Sequence, residues 1–77
     1  MAKLGCCLKR ALAHIKKNPT HKLVMGPPGH PSDTAHFWAV SPTGLVHDHA
    51  RHRVGPNYAY RGRVVDADAV RRELEGA

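Results

Sequence analysis

The fold of this chain is organised around the segment AHFWAVSPTGLVHD, residues 35–48. His36–Val40 and Leu45–His47 are rich in the β-branched, aromatic and aliphatic residues that suit a half-buried pleated surface, and the Ser-Pro-Thr-Gly sequence between them is typical of a turn. We therefore predict a β-hairpin. In its simplest register the first strand begins with His36 and the second ends at Asp48, so the imidazole and the carboxylate meet at one end of the hairpin. Such a pair fixes the imidazole tautomer and stabilises the imidazolium.

A predicted helix precedes the hairpin and carries a candidate nucleophile. Residues 6–17 place apolar side chains on one face at three- and four-residue spacings and basic side chains on the rest. The apolar face consists of Cys7, Leu8, Ala11, Leu12 and Ile15. Asn18-Pro19 ends the helix. Cys7 has two interpretations: a thiol activated at a helix N-terminus, or a small buried core residue.

The remaining strands are shorter. Lys22–Met25 predicts a strand, and residues 26–33, which are rich in glycine and proline, predict an irregular loop. Tyr58–Tyr60 and Arg63–Val65 predict two further strand-like segments. Together with the hairpin these segments indicate an antiparallel sheet.

A second helix closes the chain. Ala67–Glu75 is predicted to be helical, with Asp66 as its N-cap and with Val70 and Leu74 docking it. The 77 residues are expected to form one domain, 1–77, with a thin core. The predicted fold class is α+β: an N-terminal helix packed on a small antiparallel β-sheet, followed by a short C-terminal helix. So small a domain could also bury an apolar sheet face in a homodimer.

Charge is distributed unevenly along the chain. The net charge is +6, and the residues before Asp33 include six lysines or arginines and no acid. This basic surface could meet nucleic acid, an acidic protein or a membrane surface, or it could serve only to keep the protein soluble. The candidate binding residues are Lys9, Arg10, Lys16, Lys17, Arg51 and Arg53.

The numbers and positions of the cysteines and histidines indicate the cellular location and whether a metal ion is bound. Two adjacent cysteines cannot form a disulfide framework, so we expect reduced thiols and a cytoplasmic location, and no apolar stretch is long enough for a membrane span. Seven histidines include the neighbours His47, His49 and His52. On an extended strand His47 and His49 would point to one side and Asp48 to the other. Two imidazoles at one site are a weak zinc signal, so we predict neither a metal site nor a cofactor.

A family resemblance follows from these motifs. The chain has Gly-Cys-Cys-x3-Ala at a helix start, with Ala11 four residues after Cys7, a Leu-Val-x-Gly strand, a His-aromatic-Trp-Ala-Val strand, and an aspartate twelve residues after the histidine. It resembles small phage and bacterial proteins of papain-like or transglutaminase-like fold. The resemblance extends from Gly5 to about Tyr60. It implies that Cys7 is the nucleophile, that His36 is its general base and acid, and that Asp48 orients His36.

Three functions are open at this point. The resemblance implies a cysteine hydrolase or acyl transferase, peptidase-like or amidase-like, that acts on amide bonds of a protein substrate. The alternative is a non-catalytic phage-encoded inhibitor of host defence, of the anti-CRISPR type, which binds a host nucleoprotein complex in the host cytoplasm through its basic surface. Direct nucleic-acid binding is a third interpretation, based on charge and on aromatic residues such as Phe37 and Trp38.

Overall fold

The first helix, α1, spans Gly5–Lys17. The computed structural model describes residues 5–29 and 35–76, with Cys6 and Arg53 described by their backbone alone. The whole predicted apolar face of α1 is buried, as its spacing indicated. The helix ends as predicted at Asn18, whose backbone N–H and side-chain amide both donate to the carbonyl of His14 at 2.9 Å. Pro19 has no amide hydrogen with which to extend the helix.

The described part of the chain has four strands: β1 (Lys22–Gly26), β2 (His36–Val40), β3 (Val46–His47) and β4 (Arg63–Val65). They form one antiparallel sheet in the order β3-β2-β1-β4. The hairpin of β2 and β3 is therefore confirmed, although its second strand begins one residue later than predicted. The Ser41–Gly44 turn closes it with a hydrogen bond from the Gly44 amide to the Ser41 carbonyl, and Gly44 supplies the positive φ of 91° that this turn requires.

The core lies between α1 and one face of the sheet. Leu23 and Ala39, which face each other across β1 and β2, pack with the apolar side chains of α1. Because side chains alternate along a strand, Val24 and Trp38 point to the opposite face, where they are also buried. The sheet is thus covered on both sides around its two central strands.

The second helix, α2, spans Ala67–Gly76, and Asp66 caps it as predicted. One carboxylate oxygen of Asp66 accepts hydrogen bonds from the backbone N–H groups of Asp68 and Ala69 at 2.9 and 3.3 Å. Val70 packs against the core, but Leu74 is 42% exposed, so the prediction that Leu74 docks the helix is wrong. The last turns of α2 extend beyond the core that its first turn contacts. The helices and sheet confirm the predicted α+β class.

The prediction of a strand at Tyr58–Tyr60 is also wrong. This segment is irregular, and Tyr60 adopts a φ of 51°, which no ladder strand has. Contacts of the two tyrosine rings with Trp38 take the place of a strand ladder. The predicted loop begins after Gly26, which belongs to β1, and residues 30–34 lie outside the described residues.

Neither of the two helices in the described ranges has the length and apolarity needed to cross a bilayer.

Candidate active site

The centre of the site is a hydrogen bond between His36 and Asp48. His36 is the first residue of β2, and Asp48 follows the last residue of β3, so the hairpin brings them to the same end, as its register predicted. Nε2 of His36 lies 2.8 Å from Oδ2 of Asp48. The two side chains are only 3% and 4% exposed. A buried pair of this kind is shielded from water and therefore interacts more strongly than a surface pair.

Two further donors hold the carboxylate. The hydroxyl of Tyr60 donates to Oδ2 of Asp48 at 2.7 Å, and the backbone N–H of Ala50 donates to Oδ1 at 2.9 Å. Burial raises the pKa of Asp48, but the hydrogen bonds from His36, Tyr60 and Ala50 outweigh that effect and leave the pKa below its ordinary value. Burial and the hydrogen bond to Asp48 raise the pKa of Tyr60 to about 12. At neutral pH Asp48 is ionised and Tyr60 keeps its proton.

Aromatic rings enclose the pair. Tyr58 meets His36 edge-on at a ring distance of 5.5 Å, and Tyr58 and Tyr60 both pack edge-on against Trp38, at 5.8 and 5.2 Å. The hydroxyl of Tyr58 is anchored by the carbonyl of Pro27, to which it donates at 2.7 Å. The positive φ of Tyr60 costs roughly 1–3 kcal/mol. That strain is offset by the contacts that the residue makes with Trp38 and Asp48.

Two glycines allow neighbouring segments of the chain to pack closely against each other and against the ring of Trp38. A Cβ on Gly26 would lie 2.5 Å from the ring of Trp38 and 2.7 Å from the carbonyl oxygen of Arg61. A Cβ on Gly62 would collide with the backbone of Met25. Backbone and ring thus occupy the space that a side chain would need, and this packing sets the path that carries Tyr60 to Asp48.

Cys7 lies in the first turn of α1 and is 7% exposed. It is a free thiol. Burial, the charge of Asp48 and the charge of a Cys7 thiolate all raise the pKa of Tyr58, so Cys7 and Asp48 both lie in the electrostatic neighbourhood of that tyrosine. Within residues 5–29 and 35–76, no hydrogen bond joins the thiol to His36. The convergence of Cys7 on the pair therefore stays a prediction.

Nδ1 of His36 is the nitrogen that a nucleophile would use. Nε2 is engaged by Asp48, and Nδ1 has no hydrogen-bond partner among the described residues. A thiol that approached Nδ1 would complete a line from sulfur through imidazole to carboxylate. Catalytic hydrogen bonds are often long until substrate binds.

The predicted basic surface is exposed where the structure describes it. The structure describes five of the six predicted binding side chains, and all five are exposed: Lys9, Arg10, Lys16, Lys17 and Arg51. The side chain of Arg53 is not among the described parts of the chain. An open cavity of about 310 Å³ adjoins this surface. It is lined by Arg10, Ala13, His14, Lys17 and His49.

Sequence reasoning missed a second cluster of polar side chains. The "histidine cluster" consists of His14, His21, His47 and His49. Nε2 of His14 lies 2.9 Å from Nδ1 of His21, and Nδ1 of His14 lies 2.9 Å from Nε2 of His49. The ring of His47 stacks on that of His14 at 4.7 Å. As predicted, His47 and His49 share one side and Asp48 points to the other.

The surroundings of His14 favour its neutral form. Partial burial and then repulsion from His47, His49 and His21 lower the pKa of His14. His52, which the sequence grouped with His47 and His49, instead lies exposed in a 3₁₀ turn at Arg51–Arg53. The missed members, His14 and His21, come from α1 and from the residue before β1, and no local pattern connects them with β3. Tyr60 was missed as the partner of Asp48 for the same reason.

Comparisons of the chain with models of protein families, with curated proteins and with solved structures find no match.

Proposed function

We propose that this protein is a cysteine-dependent hydrolase or acyl transferase acting on amide bonds, with Cys7 as nucleophile. The observation that supports it is the buried hydrogen bond between His36 and Asp48. Two further donors hold this carboxylate in place. A general base uses such a partner, because the carboxylate fixes the tautomer of the imidazole and stabilises its protonated form.

The proposed first half-reaction transfers an acyl group to sulfur. Nδ1 of His36 takes the proton of Cys7, and the sulfur attacks the carbonyl carbon of an amide. Backbone N–H groups in the first turn of a helix have no intrahelical acceptor, so those of α1 near Cys7 would stabilise the developing oxyanion. The tetrahedral intermediate collapses as His36 returns the proton to the leaving amine. A thioester on Cys7 and a free amine result.

The second half-reaction releases the acyl group. His36 removes a proton from water, the resulting hydroxide attacks the thioester, and Cys7 leaves as a thiolate that regains its proton from His36. If an amine attacks in place of water, the product is a new amide and the reaction is a transamidation. Throughout both halves Asp48 remains ionised, since its depressed pKa keeps it from accepting the proton of His36.

The resemblance to papain-like and transglutaminase-like proteins supports the same chemistry and a protein substrate. A cytoplasmic setting suits it, because reduced thiols persist there. A direct test uses p-nitrophenyl acetate with a Cys6→Ser variant, so that Cys7 is the one remaining thiol. We expect an initial burst of p-nitrophenol and an acetyl group on Cys7 detected by mass spectrometry.

The controls separate catalysis from ordinary thiol reactivity. His36→Ala should abolish the burst, whereas His52→Ala, which replaces an exposed histidine outside the pair, should retain it. Equal acylation of Cys7 in the two histidine variants would contradict the proposal. Circular dichroism of each variant shows whether the fold is retained.

The exposed basic side chains of α1 and Arg51 favour a second candidate function, non-catalytic binding of a host nucleoprotein complex. Its affinity should fall steeply with salt as lysine and arginine release counterions from phosphates. It should also tolerate Cys7→Ser and be lost on charge reversal of Lys9, Arg10, Lys16 and Lys17. Binding of such a complex that did not change with salt would remove this candidate.

A further inference from the structure

Three rings of the histidine cluster each offer a nitrogen, and these nitrogens lie within 4.8 Å of one another. We propose that His14, His21 and His47 bind a divalent transition-metal ion, with Zn²⁺ as the reference metal. Imidazole nitrogen is a preferred ligand for zinc, copper and nickel. This site goes beyond the acyl-transfer function and uses none of its residues.

The spacing suits tetrahedral coordination. Zinc–nitrogen bonds of about 2.0–2.1 Å place the ligand nitrogens of a tetrahedral site roughly 3.3–3.4 Å apart. Nε2 of His14 and Nδ1 of His21 are separated by 2.9 Å. The widest separation is 4.8 Å. Coordination would require small rotations of these half-buried rings to bring the nitrogens to the required distance.

The three ligands come from fixed backbone. His14 lies on α1, and His47 lies on β3, opposite Ala39 of the central strand β2. His21 directly precedes β1, and its backbone N–H donates to the carbonyl of Asn18 at 2.9 Å. Ligands on regular or hydrogen-bonded backbone lose little freedom on binding a metal.

His49 supplies the outer support that a ligating histidine needs. When Nε2 of His14 binds metal, its Nδ1 carries the proton and donates it to Nε2 of His49, 2.9 Å away. Such partners fix the tautomer and orientation of a ligand. His49 is itself anchored, because its backbone carbonyl accepts a hydrogen bond from Arg10 at 3.0 Å.

A site with three protein ligands keeps a coordination position for water or an anion. The cavity described above borders the cluster at His14 and His49, and Arg10 and Lys17 also line it. Neutral imidazoles leave the ion its full positive charge. We infer that the fourth ligand is water or a small anion that enters from this cavity.

The test titrates Zn²⁺, and separately Co²⁺, into a Cys6→Ser/Cys7→Ser chain, so that no thiol can bind the ion. We expect one equivalent of either metal to bind, and the Co²⁺ complex to show the intense visible absorption of tetrahedral coordination. His21→Gln and His47→Gln should each weaken Zn²⁺ binding more than about 100-fold. His49→Gln should weaken it roughly 10–100-fold, as expected for an outer partner. His52→Gln is the matched control and should bind as the parent does.

Imidazole nitrogen NMR shifts of the parent chain provide a measurement that does not depend on the folding of variants. Saturating Zn²⁺ should move the ring nitrogens of His14, His21 and His47 and leave those of His36 and His52 in place. The proposal is overturned if the parent shows no saturable binding of one equivalent. It is also overturned if the shifts occur at other histidines, or if folded His21→Gln and His47→Gln bind as tightly as the control.

Discussion

The hydroxyl of Tyr60 lies 2.7 Å from Oδ2 of Asp48, the same oxygen that accepts the hydrogen bond of His36. One carboxylate oxygen therefore joins a strand residue to a residue of the irregular segment that follows the hairpin. The backbone N–H of Ala50 holds the other oxygen. This arrangement restricts rotation of the carboxylate and so restricts the imidazole that it contacts.

Tyr60→Phe should loosen this arrangement without opening a cavity. The substitution removes a hydrogen bond to a charged group, which contributes roughly 1.5–3 kcal/mol to the free energy of unfolding. It should also raise the pKa of Asp48, because one of the donors that stabilise the carboxylate is gone. Urea unfolding measures the first effect and a carboxyl NMR titration the second.

Tyr58→Phe is the matched control for that experiment. It removes the hydrogen bond to the carbonyl of Pro27, a neutral acceptor, so the loss should be about 0.5–1.5 kcal/mol. The pKa of Asp48 should rise less than in Tyr60→Phe. If the two variants shifted Asp48 equally, the direct role of Tyr60 would be refuted.

Asp48 should make stability depend on pH in the acid range. Its pKa in the folded protein lies below the ordinary value of 3.8, so below about pH 5 the unfolded chain binds more protons than the folded one. The stability that Asp48 contributes is therefore complete above that range and is lost as pH falls through the folded pKa. The free energy of unfolding, measured by urea at a series of acid pH values, should show this slope.

Asp48→Asn should flatten that slope, although it lowers stability at neutral pH. Asp68→Asn is the control, because Asp68 is a 74% exposed carboxylate paired with Arg71 on α2. Surface pairs of this type contribute little. An acid slope that Asp68→Asn reduced and Asp48→Asn left intact would contradict the assignment.

Gly26→Ala should destabilise the protein because its methyl group would lie 2.5 Å from the ring of Trp38 and 2.7 Å from the Arg61 carbonyl. Overpacking of a fixed core costs typically about 1–3 kcal/mol. Gly55→Ala has no atom within 4 Å of the new methyl group. It should be neutral or stabilise by roughly 0.4–1 kcal/mol through the unfolded state. Urea unfolding gives the free energy of unfolding of each variant. Equal values for Gly26→Ala and Gly55→Ala would argue against the close packing around Trp38.

The sequence was most informative where structure depends on near neighbours. The spacing of apolar residues predicted α1, and strand alternation with a turn predicted the hairpin, so the meeting of His36 and Asp48 followed from register alone. Tyr58–Tyr60 resembles a strand in composition, yet contacts with Trp38 and Asp48, distant in sequence, override that preference. Leu74 follows a helical apolar pattern, but the core that α2 contacts does not reach its last turns.

The sequence did not predict the histidine cluster, for a related reason. His14, His21 and His47 share no spacing, and they meet because α1 packs against β2 and the hairpin returns β3 beside it. Whether Cys7 reaches His36 depends likewise on how α1 docks on the sheet, which no local pattern specifies.

The most direct test of the catalytic proposal is the rate of iodoacetamide alkylation at Cys7 as a function of pH, resolved by mass spectrometry in the Cys6→Ser variant. An ordinary cysteine titrates near pH 8.5 and reacts slowly at about pH 6. The proposal predicts rapid labelling of Cys7 at about pH 6 that is lost in His36→Ala and kept in His52→Ala. Slow labelling that rises only near pH 8.5, unchanged by His36→Ala, would contradict a working Cys7–His36 pair.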